Sequence, residues 1–249
     1  MRTIYRPTGN AGEYAELACN LYQGCGHGCV YCYAPGVLRV KREDFHDPSQ
    51  IRPRDNILRE LQAQAGKMAG DKRPILLCFT SDPYQPREQD LQITRGALEI
   101  LADSRLQPQI LTKAGPWAIE RDLDILQRCN GIWAATLTTD DAEESGLWKP
   151  QAALPEERIQ ALRTAKKAGL QTWVSFEPVY NTQAVLRLIE RTSPFVDVFK
   201  VGKLNRHSKA GEIDWAQFLK DVEARLNAVG ADYYLKNDLR KYGEAVSSC

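Results

Sequence analysis

Three cysteines lie close together near the start of the chain, where their thiolates can share one metal centre. They are Cys25, Cys29 and Cys32, at spacings of four and three residues. Gly26 and Gly28 stand between them and let the loop bend tightly, because glycine adopts backbone conformations that other residues avoid. The other four of the seven cysteines are scattered, and no secretory signal precedes the cluster. This pattern favours metal binding over disulfides.

The spacing alone leaves the kind of metal centre open. A structural zinc site takes four protein ligands, so His27 or a distant cysteine would have to supply the fourth. A four-iron cluster is also held by thiolates, and three of them would leave one iron free for another molecule. A third interpretation is that the three thiols bind no metal.

Composition sets limits on the protein around this loop. The chain has 249 residues, 43% of them hydrophobic and 26% charged, which suits one folded domain with a sizeable core. Its net charge of +1 is not that of a protein that coats nucleic acid. No apolar run approaches the roughly 20 residues that span a bilayer. We therefore expect a cytoplasmic protein with no membrane partner.

Short apolar runs alternate with segments of helical period along most of the chain. The six runs that fit buried strands are Glu16–Leu21, Ile75–Phe79, Gln109–Leu111, Ile132–Leu137, Thr172–Phe176 and Val196–Val201. This alternation predicts an α/β fold with a parallel sheet and right-handed crossovers. A short seventh strand is predicted at Asp232–Lys236, with a helix to follow. We expect one domain over residues 1–249, with a core at about 17–201 and a C-terminal extension at about 202–249.

The motifs around the cysteines resemble those of a known enzyme family. The CxxxCxxC spacing, with Tyr31 before the last cysteine, is similar to that of the radical S-adenosylmethionine (SAM) superfamily. Three further stretches resemble its spore photoproduct lyase-like branch: Asn20-Leu21-Tyr22-Gln23-Gly24-Cys25, Thr80-Ser81-Asp82-Pro83-Tyr84-Gln85-Pro86, and Thr112-Lys113 with Arg121-Asp122-Leu123. The resemblance implies a partial (β/α)6 barrel, one [4Fe-4S] cluster, SAM on the open iron, and an external electron donor of flavodoxin or ferredoxin type.

The resemblance also implies residues that contact SAM. Ser81 and Lys113 match a SAM-binding serine and a lysine that reaches the SAM carboxylate, and Thr136 matches a hydroxyl that meets the methionyl or ribose part. Tyr31 matches a position beside the adenine, and Arg158 a position where the family often carries arginine. Glu177 follows the fifth predicted strand, where a carboxylate can bind SAM, hold a cationic substrate group or cap the next turn.

Two positions bear on the hydrogen-transfer step. Tyr33 matches a tyrosine in the hydrogen-transfer chain of the lyase, so the resemblance implies a catalytic role. The cysteine that donates hydrogen in the lyase is replaced here by Phe79. Cys78 is displaced by one residue, and because successive strand residues face opposite sides we expect it to be a core thiol. Repair of spore photoproduct is therefore not the expected activity.

A basic segment bears on the substrate. Lys200, Lys203, Arg206 and Lys209 lie on or after the sixth strand in a run without acids, and this run predicts a basic rim that suits phosphate groups. A nucleic acid or nucleotide is thus the first expectation for the substrate, and a peptide or protein the alternative. The alternative outside the enzymes is a module that binds an iron–sulfur cluster or zinc and has no catalytic activity.

Overall fold

The fold is built on a single eight-stranded sheet with the strand order β1-β2-β5-β6-β7-β8-β9-β10. The structure is a computed structural model, and it describes residues 3–244. The strands are β1 (Ile4–Tyr5), β2 (Leu17–Cys19), β3 (Tyr22–Gln23), β4 (Arg52–Pro53), β5 (Ile75–Leu77), β6 (Pro108–Thr112), β7 (Ile132–Thr136), β8 (Gln171–Val179), β9 (Val198–Lys203) and β10 (Asp232–Leu235). Every neighbouring pair in the large sheet is parallel except β1–β2, and β3 pairs with β4 in a small antiparallel ribbon.

Helices connect the parallel strands. They are α1 (Ala34–Leu38), α2 (Arg42–His46), α3 (Ile57–Lys67), α4 (Glu88–Leu91), α5 (Ile93–Asp103), α6 (Pro116–Arg128), α7 (Ala142–Trp148), α8 (Pro155–Lys167), α9 (Thr182–Thr192), α10 (Trp215–Ala228) and α11 (Asn237–Glu244). Local sequence sets several of their ends. Asp214 caps α10 by accepting a hydrogen bond from the amide of Gln217, 2.9 Å away. Pro155 opens α8, and Gly169, at a φ of +85°, follows its end.

The two faces of the sheet have separate apolar cores. The larger one joins the outer face to the apolar stripes of the helices. The smaller one takes alternate strand residues, Ala18, Leu76, Ala134 and Trp173 among them, together with Tyr14. Because alternate residues of a strand share one face, this smaller core marks the concave inner side of the barrel. Thr136 and Ser175, two residues beyond Ala134 and Trp173, therefore point into the barrel above this core.

The barrel is not closed by hydrogen bonds between β1 and β10, which are the two edges of the sheet. A segment before β2 lies across this open seam. Tyr14 reaches into the barrel and contacts Trp173, with ring centroids 5.8 Å apart. Its neighbour Glu13 accepts hydrogen bonds from the hydroxyl of Tyr234 (3.2 Å) and the amide of Asn237 (2.9 Å). The N-terminal segment thus connects the inner face to the last strand and helix.

The predicted fold class is confirmed. The six predicted strands correspond to β2 and β5–β9, and the predicted seventh corresponds to β10, followed by α11. The antiparallel edge strand β1 and the β3–β4 ribbon were not predicted. Cys249, one of the scattered cysteines, lies outside the described residues, as does the end of the predicted C-terminal extension. Within residues 3–244, no helix has the length and apolar character needed to cross a membrane.

Candidate active site

The cysteine loop follows β3 at the carboxyl edge of the parallel sheet, and α2 holds it in place. Arg42, the first residue of α2, donates hydrogen bonds to the carbonyls of Cys29 (2.9 Å) and Cys32 (2.8 Å). The Nδ1 atom of His46, at the other end of α2, lies 2.7 Å from the carbonyl oxygen of Cys25. The loop backbone is therefore fixed at all three cysteines, which leaves the sulfur atoms available as ligands.

All three loop cysteines are free thiols. Burial raises the pKa of Cys25 and of Cys32 above the ordinary value, so these thiols stay protonated unless a metal ion displaces the proton. No three His, Cys, Asp or Glu side chains in the described part of the chain converge on one position for a single ion. In an iron–sulfur cubane each thiolate binds its own iron, so convergence on one point is not required.

Asp82 ties the loop to the ends of two strands. Its carboxylate accepts hydrogen bonds from the hydroxyl of Thr112 (2.6 Å) and the amides of Lys113 (2.8 Å) and Tyr84 (2.9 Å). It also lies 3.1 Å from Nε2 of His27 in the cysteine loop. Burial alone would raise the pKa of Asp82, but the charge and hydrogen bond of His27, with the other donors, lower it to about 2. This buried carboxylate therefore stays charged and positions Lys113.

Lys113 follows β6 on the inner face, beside the cysteine loop. Burial tends to lower its pKa, but Cys29 and Asp82, followed by Cys25 and Cys32, raise it when they are ionised, and the net shift is upward. Its ammonium group thus lies within electrostatic reach of all three loop thiols. A charged amine in this place can bind a carboxylate that approaches the same metal centre.

Several buried hydroxyls near the loop have no protein partner. The side-chain oxygens of Thr80, Ser81 and Tyr31 are buried and make no hydrogen bond within residues 3–244. Buried polar groups normally have partners, so such atoms suggest a polar ligand. Thr136, at the end of β7, is buried on the same inner face as Lys113. The structure therefore brings Ser81, Lys113 and Thr136 to one side of the loop, with donors and acceptors that fit SAM.

Arg158 lies behind this group and is 0% exposed. It extends from α8 to the end of β7. Its Nε donates to the carbonyl of Ala153 (2.9 Å), Nη1 to the carbonyl of Thr136 (2.6 Å) and Nη2 to the hydroxyl of Ser145 (2.8 Å). These bonds join α7, α8 and β7 at the carboxyl edge. Arg158 thus orients the strand end that carries Thr136.

Glu177 lies further along the sheet, on β8, in a second polar group that it forms with Tyr14 and Lys236. Its carboxylate accepts hydrogen bonds from the hydroxyl of Tyr14 and from Nζ of Lys236, which lies 3.0 and 2.8 Å from its two oxygens. Tyr14 also lies 2.9 Å from the hydroxyl of Ser175. Gly202 faces this ion pair, and a Cβ there would lie 2.7 Å from Glu177 and 2.9 Å from Lys236. Glu177 is therefore held in the barrel interior by an ion pair that the sequence did not predict.

The residues considered for hydrogen transfer lie in different environments. Tyr33, which is 50% exposed, precedes α1 and donates a 2.6 Å hydrogen bond to the carbonyl of Phe79. Cys78 is buried in the larger core, and its sulfur accepts a hydrogen bond from the amide of Leu21 at 3.4 Å. Burial raises the pKa of Cys78 to about 12, so it is an unreactive thiol, as the prediction of a core thiol requires.

The four basic residues on or after the sixth predicted strand do not share one surface. Lys200 points into the barrel, with Nζ 4.8 Å from the ring centroid of Trp173. Lys203 donates a 2.8 Å hydrogen bond to the hydroxyl of Tyr242. Arg206 is exposed. The expected continuous basic rim is thus reduced to Arg206 and Lys209.

Lys209 forms part of an aromatic group beside the cysteine loop. Trp148 and Tyr180 are stacked with centroids 4.2 Å apart, and Nζ of Lys209 lies 5.6 and 5.8 Å from the two rings. Trp148 reaches the loop through its carbonyl, which accepts a 3.0 Å hydrogen bond from the amide of Val30. The sequence did not predict that Trp148, Tyr180 and Lys209 lie together, because they come from three separate segments of the chain.

Two other positioning residues were also missed. Arg42 carries no motif signal that separates it from a surface arginine. A role for Asn20 was predictable, because Asn20 is the first residue of the motif that ends at Cys25. Its Oδ1 atom accepts hydrogen bonds from the amides of Phe79 (2.7 Å) and Thr80 (3.1 Å), so it fixes the loop that carries Ser81.

Comparison with known proteins identifies one family. The sequence profile of the Radical SAM superfamily matches residues 19–183, about two thirds of the chain. An uncharacterized protein of Methanocaldococcus jannaschii is 26% identical over 193 residues, which cover 77% of this chain and 71% of that protein. An uncharacterized protein of Mycobacterium tuberculosis is 29% identical over 173 residues, 64% of this chain and 48% of that one. The match thus spans about half the length of the mycobacterial relative.

Solved structures show the same fold. Spore photoproduct lyase complexed with dinucleoside spore photoproduct superposes with a TM-score of 0.67 at 17% identity, covering 93% of this chain and 80% of the lyase. SuiB of Streptococcus suis bound to its precursor peptide SuiA gives a TM-score of 0.65 at 13% identity, covering 95% of this chain and 53% of SuiB. At these identities the likeness concerns the fold.

Proposed function

This chain belongs to the radical SAM superfamily and is an enzyme that uses a [4Fe-4S] cluster and SAM, and we propose that it abstracts a hydrogen atom from a nucleic acid or nucleotide. The observation that carries the proposal is the cysteine loop at the carboxyl edge of the sheet, with Lys113 and the unpartnered hydroxyl of Ser81 beside it. Active sites of barrels built from parallel strands lie at this edge.

The proposed roles follow from these positions. Cys25, Cys29 and Cys32 hold three irons, and the fourth iron is left for SAM. Lys113 binds the SAM carboxylate, Ser81 and Thr136 hydrogen-bond its polar groups, and Tyr31 lies beside the adenine. Arg158 supports this site through its bond to the carbonyl of Thr136. When bound, the cluster supplies the electron that cleaves SAM to methionine and the 5′-deoxyadenosyl radical, which abstracts the substrate hydrogen.

Glu177 and Tyr33 complete the proposed set on the substrate side. Glu177 is already paired with Lys236 inside the barrel, so its remaining hydrogen-bonding capacity suits a polar group of SAM or of the substrate. The Tyr33 hydroxyl is held beyond the end of β5 by its hydrogen bond to the carbonyl of Phe79. Half of the Tyr33 side chain is exposed, so a substrate can reach it. We propose Tyr33 as the residue that exchanges a hydrogen atom during the reaction.

The electron has to come from outside the chain, since radical SAM enzymes need a reductant. We propose a donor of flavodoxin or ferredoxin type that docks on the outer side of the cysteine loop. Apolar side chains are exposed there, with Val30 at 46%, Val37 at 59% and Val40 at 47%. Exposed apolar patches of this kind are typical of protein interaction sites. Cytoplasmic conditions, which keep thiols reduced, suit such a pair of proteins.

The aromatic group beside the loop supports a nucleic acid or nucleotide as the substrate. Partly exposed Trp148, with Lys209 over its ring and Arg206 nearby in sequence, combines stacking surface with positive charge. Single-stranded nucleic acids bind to such combinations, each base stacking on an aromatic side chain and each phosphate meeting a cation. A peptide is the second candidate, since SuiB, which has the same fold, is known in a complex with its precursor peptide.

The cluster is tested by anaerobic reconstitution. We expect about four irons and four sulfides per chain, and cleavage of SAM to 5′-deoxyadenosine after dithionite reduction. Cys29→Ala should lose both, because a thiolate ligand is removed. Cys129→Ala is the matched control, since the Cys129 thiol, just after α6, donates only to the carbonyls of Ile125 and Leu126 in that helix. Full SAM cleavage by Cys29→Ala would contradict the assignment, as would stoichiometric zinc without sulfide.

The substrate class is tested by binding single-stranded oligonucleotides over a range of salt concentrations. Affinity should fall as salt rises, and the Arg206→Ala/Lys209→Ala double variant should lower the slope of log K against log salt by about 0.7 for each lost phosphate contact. Lys220→Ala, an exposed lysine on α10, is the control and should leave the slope unchanged. Undetectable binding at low salt, or binding that salt does not affect, would move a peptide substrate to first place.

A further inference from the structure

Gln85 is a buried amide that contacts the cysteine loop on both sides of Cys25. It lies between β5 and α4 and is 0% exposed. Its Oε1 atom accepts a 2.8 Å hydrogen bond from the amide of Gly26, and its Nε2 atom donates a 3.4 Å bond to the carbonyl of Gly24. A side-chain amide carries a donor and an acceptor, so it can pair with both backbone groups at once. Gln85 thus bridges the two peptide groups that flank Cys25.

The four hydrogen-bonding atoms of these two peptide groups are all paired. The amide of Cys25 donates to the carbonyl of Phe45 at 3.0 Å, and the carbonyl of Cys25 lies 2.7 Å from Nδ1 of His46. Phe45 and His46 belong to α2, whereas Gln85 follows β5, so Cys25 is held between two separate parts of the fold. Because peptide groups are planar, fixing the two on either side of a residue fixes its φ and ψ and the direction of its Cβ atom. The Cys25 thiol therefore has a set direction.

A buried ion pair anchors the segment that carries Gln85. The carbonyl of Gln85 accepts a 2.8 Å hydrogen bond from the amide of Glu88, the first residue of α4. Glu88 is buried, and its carboxylate pairs with Arg121 of α6 at 2.7 Å. The same carboxylate accepts a hydrogen bond from the hydroxyl of Tyr22 on β3, two residues before Gly24. Gln85 and Glu88 thus hold the chain where it enters the cysteine loop.

We infer that Gln85 is a positioning residue that sets the Cys25 thiol in place for the cluster before the metal arrives. This rests on the proposed function, since Cys25 is a ligand only if the chain binds a cluster. Gln85 carries no charge, so its contribution is geometric, and it acts at a different part of the loop from Asp82, which lies against His27. Groups that orient a metal ligand without touching the metal typically change metal affinity by about 10- to 100-fold when they are replaced.

The geometry is tested on the metal-free protein by alkylation with iodoacetamide, with each cysteine quantified by mass spectrometry. A buried thiol reacts when its surroundings open, so its rate reports local opening. Gln85→Met keeps the length of the side chain and removes both hydrogen bonds, and the Cys25 rate should rise about tenfold. Cys19, which is buried in β2 and reports opening of the sheet, should keep its wild-type rate. Gln89→Met makes the same replacement at an exposed position of α4 and should leave the Cys25 rate unchanged.

The consequence for metal binding is measured on the reconstituted protein. A chelator should remove iron from Gln85→Met about tenfold faster than from wild type, and from Gln89→Met at the wild-type rate. If Gln85→Met does not fold, Gln85→Ser takes its place in both assays. Its shorter side chain cannot reach both backbone groups and leaves room for water to pair with them, which preserves the fold without the bridge.

The outcomes separate this inference from the proposed function. A Cys25 rate that stays at the wild-type value, or that rises only together with the Cys19 rate, overturns the inference, because a general loss of stability opens both sites. Faster alkylation of Cys25 alone with unchanged iron release also overturns it, since the bridge would then have no bearing on the metal. Wild-type protein that assembles no four-iron cluster contradicts the proposed function, and the inference with it.

Discussion

Replacing Asp82 with asparagine should reveal how strongly this one carboxylate joins the cysteine loop to the sheet. The substitution keeps the shape and removes the charge. The pKa of Asp82 falls from an ordinary 3.8 to about 2, a difference that corresponds to about 2 kcal/mol of stability at neutral pH. The new amide would also leave at least one of three donors, the amides of Tyr84 and Lys113 and the hydroxyl of Thr112, without an acceptor. We therefore expect Asp82→Asn to lower the free energy of unfolding by about 2–4 kcal/mol.

The pH dependence checks the cause of that loss. A carboxyl with a lowered pKa stabilises the fold fully above its unfolded pKa, and the contribution disappears as pH falls through the folded pKa. The difference between wild type and Asp82→Asn should thus be equal at pH 7 and pH 5, and smaller by about 1 kcal/mol at pH 3. Urea denaturation of the metal-free proteins at the three pH values measures it.

Asp124→Asn is the matched control for this experiment. Asp124 is exposed and paired with Arg95 at 3.2 Å on the surface, where an ion pair contributes at most about 1 kcal/mol. Its loss should therefore be small at every pH. A cost below about 1 kcal/mol for Asp82→Asn, or a cost that stays the same down to pH 3, would refute the view that the charged form of Asp82 holds the site together.

Three further substitutions test other contacts. Lys113→Ala should weaken equilibrium binding of SAM to the reconstituted protein by about 1.5–3 kcal/mol without loss of iron, and unchanged affinity would place Lys113 outside the SAM site. Arg42→Ala removes the hydrogen bonds to two carbonyls of the cysteine loop, so iron should be held about 10- to 100-fold less tightly against a chelator, and unaltered retention would show that the loop keeps its shape alone. Gly202→Ala should destabilise the fold by about 1–3 kcal/mol in urea, because its Cβ would collide with Glu177 and Lys236, and a neutral result would mean that the ion pair moves freely.

The sequence predicted the parts of the fold that depend on local patterns. Ile132–Leu137 and Val196–Val201 are apolar runs of strand length, and both correspond to strands of the sheet. The edge strand Ile4–Tyr5 has two residues, too few to leave a periodic signal. Its pairing with Cys19 and Ala18 comes from tertiary contact. Short edge elements therefore escape this kind of analysis.

The site was predictable where its residues follow strands, and less so elsewhere. Lys113 and Thr136 come at the ends of parallel strands, which meet at one edge of the sheet. Lys200 and Lys203 looked alike in sequence, yet strand alternation and packing send one into the barrel and the other against Tyr242. Such properties arise only when distant segments are packed together.

The N-terminal segment across the open seam also constrains the order in which the chain can fold. Glu13 is bonded to the amide of Asn237, 224 positions later, and Tyr14 contacts strands from β6 onward. Contacts so far apart in sequence close very large loops and form late. The cysteine loop precedes Tyr234 and Asn237 by about two hundred positions, so the loop is synthesised well before the residues that hold the seam. Closure of the seam therefore requires that every strand between β2 and β10 has already been made.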